Sequence, residues 1–261
     1  MIPTGQVVAL RSGTVRFRVR CAGAGRPLVY FHSIFDRAPW PPLLDRLAER
    51  YAVFAPQHPG VGGSEGEEHL ETVVDLALVY DELLEALGLG TAHLCGHFFG
   101  GMVAAEIAAI VRHRVDRLAL IAPLGLWRDD APVADVLILP GDELMPLLWA
   151  DPRSPIAASW AAEPDSDEEK AAAEVESIQR RAAMGRFVWP LPDKGIKRRL
   201  HRISAPTLLL WGDSDRVHPL VYAEEWQRRI KGAELKLLRG GHMLPLEAPE
   251  VVAGALASFL G

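Results

Sequence analysis

Apolar residues recur along the chain with two different periods. Residues 14–21 alternate apolar and charged side chains, as a half-exposed strand does, whereas residues 28–31 and 51–55 are short apolar runs typical of strands buried on both faces. Further strands are predicted at 92–95, 117–122, 207–211 and 234–238. Helices are predicted at 43–50, 72–87, 100–111, 219–230 and 249–260. Strands that alternate with helices predict an α/β fold with a mostly parallel sheet.

The alternation is interrupted between residues 124 and 201. This segment lacks the strand period and contains a helix-like run at 168–184. It also holds four of the seven tryptophans, namely Trp127, Trp149, Trp160 and Trp189. In open α/β sheets, ligands bind at the carboxyl edge, so a helical insertion between two strands predicts a cap over that edge. We therefore expect a core formed by residues 1–123 and 202–261, and a helical cap formed by residues 124–201.

Composition and charge restrict the classes of partner. With 28 Lys and Arg against 34 Asp and Glu, the net charge is −6, which disfavours nucleic acid and anionic membranes as partners. The two cysteines could form at most one disulfide, so a disulfide-stapled secreted scaffold is excluded. Residues 1–10 lack a basic segment followed by an apolar core, and no apolar run approaches bilayer length. We expect a cytoplasmic globular protein, while the oligomeric state stays open.

A glycine-flanked turn follows the strand predicted at 92–95. The sequence there is Gly-His-Phe-Phe-Gly-Gly at 96–101, and a predicted helix follows. Strand, tight turn and helix are the context of a nucleophile elbow, G-x-S-x-G, whose central residue has a strained backbone that small neighbours permit. We therefore expect Phe98, the central residue, to keep that strained conformation. We also expect its ring to fill the space beneath the cap, near His242.

Two downstream motifs complete a pattern. Trp-Gly-Asp-Ser-Asp at 211–215 follows a predicted strand, and Gly-Gly-His-Met-Leu-Pro-Leu-Glu occupies 240–247. His32 follows the strand predicted at 28–31, and the loop Pro-Gly-Val-Gly-Gly-Ser occupies 59–64. With these motifs the chain resembles the α/β-hydrolase superfamily, and within it the capped esterases and carbon–carbon bond hydrolases. The order of elbow, acid and histidine also matches. The resemblance implies an α/β-hydrolase fold with helices on both faces of the sheet.

The resemblance also implies roles for individual residues. Asp215 matches the acid that orients the base, His242 matches the base, and the N–H groups of Phe99 and Ile34 match the oxyanion hole. Phe98 stands at the nucleophile position. A phenyl ring has no lone pair and no acidic proton, so it cannot form an acyl-enzyme. Ser33 stands where the family places a glycine after the histidine of the oxyanion loop, and a side chain there can move an N–H donor.

Several alternatives stay open from the residues alone. Asp213 competes with Asp215 as the acid, and Ser33 is a candidate substitute nucleophile if it reaches His242. A metal site at His32, His97 and His242 lacks supporting carboxylate or cysteine spacing, so no metal and no cofactor are predicted.

Aromatic side chains near the predicted pocket suggest a ligand box. We expect ligand contacts from Ser33, Phe35, Trp127 and Trp149 with a small apolar or aromatic molecule. The alternative interpretation is that these aromatic rings only pack the cap on the core.

Three functions are compatible with these residues. In the first, the His242–Asp215 dyad acts as a general base without a covalent step. In the second, the protein is a ligand-binding pseudoenzyme that keeps the pocket without the chemistry. In the third, it derives from a serine ester or carbon–carbon bond hydrolase whose nucleophile has been substituted at position 98.

Overall fold

The computed structural model describes residues 2–191 and 193–261. These residues form an eight-stranded sheet with the spatial order β1-β2-β4-β3-β5-β6-β7-β8. The strands are β1 Thr4–Leu10, β2 Val15–Ala22, β3 Pro27–Phe31, β4 Ala52–Pro56, β5 Ala92–His97, β6 Val115–Ile121, β7 Thr207–Gly212 and β8 Glu234–Leu238. Strand β2 pairs antiparallel with β1 and β4, and every pairing from β4 to β8 is parallel. The predicted α/β class with a mostly parallel sheet is confirmed.

Helices cover both faces of the sheet. They are α1 Pro42–Ala48, α2 Val73–Ala86, α3 Phe99–Ile110, α4 Gly141–Leu148, α5 Pro155–Ala161, α6 Asp167–Val188, α7 Val221–Arg229, α8 Leu244–Glu247 and α9 Pro249–Leu260. Helices α2 and α3 contribute to one apolar cluster, and α1 and α9 contribute to a second cluster on the opposite face. Strand β5 serves both clusters, because Leu94 belongs to the first and Cys95 to the second.

The hydrophobic pattern missed one strand and part of the helical segment. Strand β1 lies at the edge of the sheet, and of its seven residues only Leu10 is buried. It forms because its backbone pairs with β2 from Thr4 opposite Cys21 to Leu10 opposite Val15, which a search for apolar periodicity does not detect. Helices α4 and α5 were not separately predicted. Helix α4 contains Pro146 in its interior and is only eight residues long.

The parallel strands bring the candidate residues to one edge of the sheet. His32 follows β3, Phe98 follows β5, Asp215 follows β7 and His242 follows β8. Because the carboxyl ends of parallel strands lie at the same edge, these four residues converge although they are far apart in the sequence. Helices α4, α5 and α6 all lie between β6 and β7 in the chain. Within the described part of the chain, no helix is long and apolar enough to span a bilayer.

Close approach between α3 and the sheet depends on a glycine. A Cβ on Gly100 would lie 2.0 Å from the carbonyl oxygen of Phe31 and 2.6 Å from that of His32. Both obstacles are backbone atoms of a buried strand end, so the chain could relieve the clash only by moving α3 away from β3.

We predict that Gly100→Ala lowers the free energy of unfolding by more than about 2 kcal/mol, because the added methyl group overpacks the interface between α3 and β3. Gly254→Ala is the matched control, since Gly254 is an exposed helical glycine whose Cβ would meet no atom within 4 Å. This control should leave stability unchanged or raise it by up to about 1 kcal/mol. Urea unfolding of the two variants measures the difference, and equal stabilities would contradict the prediction.

Candidate active site

The turn between β5 and α3 has the geometry of a nucleophile elbow. Phe98 has φ 49° and ψ −107°, outside the conformations that a side-chain-bearing residue prefers. Its N–H donates to the carbonyl of Ile121 at 2.9 Å, and its own carbonyl accepts from the N–H of Met102 and of Leu124, each at 3.0 Å. The strained conformation expected for Phe98 is therefore present, and these backbone hydrogen bonds hold it.

His242 and Asp215 form a buried pair. His242 Nδ1 lies 2.8 Å from Asp215 Oδ2, and both side chains are 0% exposed. The other carboxylate oxygen of Asp215 accepts from the N–H groups of Val217, at 3.0 Å, and His218, at 2.8 Å. The carboxylate is thus fixed on both sides, and it directs Nε2 of His242, the remaining ring nitrogen, away from Asp215.

Asp213, the other candidate acid, has different hydrogen-bond partners. Asp213 Oδ1 accepts from the hydroxyl of Ser214 at 3.0 Å and from the N–H of Gly240 at 3.2 Å. It therefore stabilises the turn after β7 and the start of the loop that carries His242. The geometry selects Asp215, not Asp213, as the partner of the histidine.

Aromatic rings enclose His242. The ring of Phe98 meets the imidazole at a right angle with 4.7 Å between centroids, and the ring of Phe35 meets it in the same way at 5.5 Å. Phe35 and Phe98 also stack on each other at 5.8 Å. Among the described residues, Nε2 of His242 has no hydrogen-bond partner. The nitrogen that would take a proton from a nucleophile is therefore buried and unpaired among the described residues.

The loop after β3 is organised by Ser33 and Asp36. The Ser33 hydroxyl accepts from the N–H of Phe35 at 3.2 Å, and the Ser33 N–H donates to Asp36 Oδ2 at 3.0 Å. No hydrogen bond joins Ser33 to His242 in the described part of the chain, so the geometry does not support Ser33 as a substitute nucleophile. On the other side of the site, Phe99 is the first residue of α3, and its N–H has no acceptor within the helix.

Asp36 is a buried carboxyl that the sequence analysis did not single out. Its Oδ2 also accepts from the hydroxyl of Tyr30 at 3.2 Å, while its Oδ1 has no hydrogen-bond partner among the described residues. Burial raises the pKa of Asp36 to about 6, against the lowering effect of its hydrogen bonds and of the positive charge of Arg180. An acidic residue directly after the apolar pair Ile34 and Phe35 was the available signal.

The neighbouring histidines have packing roles. The N–H of His58 donates to His32 Nε2 at 3.0 Å, and His97 Nε2 lies 3.0 Å from the carbonyl oxygen of His242. Burial lowers the pKa of His32 to about 4 and that of His218 to about 3. His218, which the sequence analysis also missed, packs against the ring of Phe98. Across residues 2–191 and 193–261, no three His, Cys, Asp or Glu side chains converge as a metal site would require.

A cleft of about 550 Å³ lies above this site, between the loop after β3 and helices α4, α5 and α6. Ile34 and Phe35 form its floor, and Trp160 of α5 lines its wall. The Phe98 ring borders a separate void of about 10 Å³ together with Ile34 and Phe99. Phe35 therefore separates the cleft from Phe98 and His242.

Two of the four residues expected to contact a ligand lie away from the cleft. Trp127 borders a different small void and donates its indole N–H to Asp129 at 2.9 Å. Trp149 is completely buried and packs edge-on against Trp160 with 5.9 Å between centroids. Of the other two, Phe35 lines the cleft and Ser33 is buried beneath it. Packing of the helical segment on the core thus accounts for Trp127 and Trp149, while Trp160 is the tryptophan at the cleft.

Comparison with known proteins identifies the family. The sequence profile of the Alpha/beta hydrolase family matches residues 21–255. The chain belongs to the alpha/beta hydrolase family. Relatives in this family include a poly(3-hydroxyalkanoate) depolymerase of Ectopseudomonas oleovorans, which is 27% identical over 84% of this chain and 78% of its own length. Another relative is the dihydrolipoyllysine-residue acetyltransferase component of the acetoin cleaving system of Cupriavidus necator, 29% identical over 95% of this chain and 67% of its own length.

Solved structures share the family fold. A membrane phospholipase A, described as a bacterial virulence factor, superposes with a TM-score of 0.79 over 99% of this chain and 86% of that chain, at 24% identity. A hydrolase from Pseudomonas aeruginosa PA01 superposes with a TM-score of 0.73 over 99% of this chain and 98% of that chain, also at 24% identity. The α/β-hydrolase fold expected from the sequence motifs is confirmed.

The raised pKa of Asp36 predicts a pH-dependent contribution to stability. Between about pH 4 and pH 6 the folded protein retains the Asp36 proton that the unfolded chain has lost, so this group makes the unfolding free energy fall as pH rises through that window. Asp36→Asn removes the titration and retains an oxygen for the Tyr30 and Ser33 donors. We expect wild type to lose up to about 3 kcal/mol relative to this variant from pH 4 to pH 7. A difference that is constant with pH, in chemical unfolding experiments, would contradict the assignment.

Proposed function

We propose that this member of the alpha/beta hydrolase family is a non-catalytic protein that binds a small apolar or aromatic molecule in the cleft. Phe98 occupies the nucleophile position in this proposal. The observation that carries it is the right-angle contact, with 4.7 Å between centroids, of the Phe98 ring with the His242 imidazole. The ring both replaces the nucleophile and covers the base, so neither step of acyl transfer has the group that it requires.

General-base catalysis without a covalent step is less well supported. A base must reach the proton that it removes, at about 3 Å or through one water molecule. The His242 side chain is 0% exposed, Phe35 lies between it and the cleft, and Phe98 packs against its ring. Movement of both rings would be required before a substrate or a water molecule could approach Nε2.

The second candidate is a serine hydrolase whose nucleophile has been substituted at position 98, and one observation favours it. The His242–Asp215 pair keeps a 2.8 Å contact with both carboxylate oxygens engaged, as a working triad requires. A buried pair of this kind also has a structural role, since loss of one member would leave the other unpaired in the interior. The dyad is therefore expected to persist whether or not it acts chemically.

We further propose that residues 124–201 act as the cap of this pocket. Their helices α4, α5 and α6 contribute the roof of the cleft, and the core contributes its floor through the loop after β3. This division resembles that of the capped esterases and carbon–carbon bond hydrolases. The activity named for the depolymerase relative belongs to that protein, and our proposal for this chain stops at binding.

The test is to restore the nucleophile. Phe98→Ser should place a hydroxyl within about 2.6–3.2 Å of His242 Nε2 and create slow hydrolysis of a small activated ester such as p-nitrophenyl acetate. Adding Ser33→Gly should increase the rate by up to about a hundred- to a thousand-fold if Ser33 displaces an oxyanion donor. Wild type should show neither ester hydrolysis nor labelling by a fluorophosphonate probe.

Two controls separate the explanations. Phe98→Ala opens the same space without supplying a nucleophile, and His242→Ala in the Phe98→Ser background removes the base. Neither variant should hydrolyse the ester above the uncatalysed rate. Hydrolysis by wild type that disappears with His242→Ala would overturn the non-catalytic proposal in favour of general-base chemistry. A folded Phe98→Ser, Ser33→Gly protein that neither hydrolyses the ester nor takes the probe would eliminate the substituted-hydrolase alternative.

A further inference from the structure

The guanidinium groups of two arginines lie where two cavities meet. The cleft of about 550 Å³ is adjacent to a second cavity of about 420 Å³, which lies between α6 and the outer strands β1 and β2. Arg37 and Arg180 line both cavities. Arg37 comes from the loop after β3 and Arg180 from α6, so the core and the α4–α6 segment each contribute one of these cations.

Arg180 is buried more deeply than its hydrogen bonds explain. Its side chain is only 8% exposed, although most of α6 faces solvent. One guanidinium nitrogen donates to Glu176 Oε1 at 3.0 Å, which is the one acceptor that the described residues offer it. A guanidinium carries five N–H donors, so most of its donors lack a protein acceptor among the described residues. Burying a cation with so few acceptors is costly unless something else supplies them.

Arg37 is similarly short of anionic partners. Its Nη1 donates to the carbonyl oxygen of Trp160 at 2.6 Å, and its guanidinium carbon lies 3.8 Å from the centre of the Trp160 ring. No carboxylate lies within ion-pair distance of Arg37 in the described part of the chain. Burial, followed by the positive charge of Arg180, lowers the pKa of Arg37. The two cations therefore repel each other, and no carboxylate of the described residues forms an ion pair with both of them.

The charge of the lining favours a monoanion. Five arginines and four carboxyl groups line the two cavities among the described residues, an excess of one positive charge in a chain whose net charge is −6. Two of the arginines have ion pairs with carboxylates on their own helix, Arg180 with Glu176 and Arg181 with Glu174. A single additional negative charge would balance the remainder, whereas a dianion would exceed it.

We propose that Arg37 and Arg180 form an anion seat that holds the carboxylate of a small amphipathic acid bound in the cleft. The hydrocarbon part of the acid lies along the apolar lining of the cleft, which includes Ile34, Phe35, Val136, Leu144, Met145 and Trp160. Guanidinium groups suit this role because their planar N–H pairs match a carboxylate. The inference rests on the proposed binding function and specifies the chemical class of its ligand.

The experiment is isothermal titration calorimetry of the full chain with three probes that share one hydrocarbon body. The probes are 4-phenylbutyrate, the neutral 4-phenylbutanamide and the dianionic 3-phenylpropyl phosphate. Wild type should bind 4-phenylbutyrate at least about tenfold more tightly than the amide, because charge-assisted hydrogen bonds are lost with the neutral head group. It should bind the phosphate no more tightly than the carboxylate.

Arginine variants test whether the preference for the carboxylate over the amide arises from the anion seat. Arg37→Gln and Arg180→Gln should each remove the preference for the carboxylate and leave binding of the amide within about threefold. Arg181→Gln is the matched control, since Arg181 lines the same cleft but not the second cavity and so lies outside the seat, and it should keep the preference. Because Arg180 is buried, thermal unfolding checks the folding of its variant. Arg37 is more exposed than Arg180, so its variant decides the test if the Arg180 variant fails to fold.

Different results would contradict different parts of the proposal. Equal binding of carboxylate and amide by wild type would overturn the anion seat and leave the binding function intact. Tighter binding of the phosphate through the same two arginines would overturn the assignment to a carboxylate. Absence of binding by all three probes would also overturn the seat. Ester hydrolysis by wild type, measured separately, would overturn the non-catalytic function even if the carboxylate preference were found.

Discussion

The contact between the Phe98 ring and the His242 imidazole is the constraint on which the rest of the site depends. Phe98 is directed at the histidine by a positive φ of 49°, which the chain maintains through backbone hydrogen bonds to Ile121, Met102 and Leu124. If Phe98 holds the nucleophile position, as we propose, the elbow presents hydrocarbon to the base. The same backbone geometry that would expose a nucleophile therefore closes the site. Phe35 stacks on the ring and completes the closure.

Because the His242 side chain is completely buried, the accessible part of the site is the cleft above it. The floor of the cleft is formed by Ile34 and Phe35, and the His242–Asp215 pair lies behind Phe35. The polar side chains that line the cleft include the arginines contributed by the core and by α6. Binding, with selection by charge and hydrocarbon shape, is the activity that we propose for these surfaces.

Much of this arrangement could be predicted from the sequence because it depends on local patterns. Apolar runs indicated the buried strands, and the family resemblance implied Asp215 as the acid. The hydrogen bonds then distinguished Asp215 from Asp213. Features set by tertiary contacts were not accessible in this way. Strand β1 depends on backbone pairing, the burial of Trp149 depends on its contact with Trp160, and the charge environment of Asp36 and Arg180 depends on how α6 crosses the loop after β3.

Exchange of the imidazole C2 hydrogen of His242 for deuterium, followed by mass spectrometry, tests the central claim most directly, because this exchange requires that water reach the ring. If the Phe98 ring seals the histidine, exchange at His242 is much slower in wild type than in Phe98→Ala, while exchange at the exposed His113 is the same in both proteins. Rapid exchange at His242 in wild type, equal to that in Phe98→Ala, would show that water already reaches the base and would contradict the account.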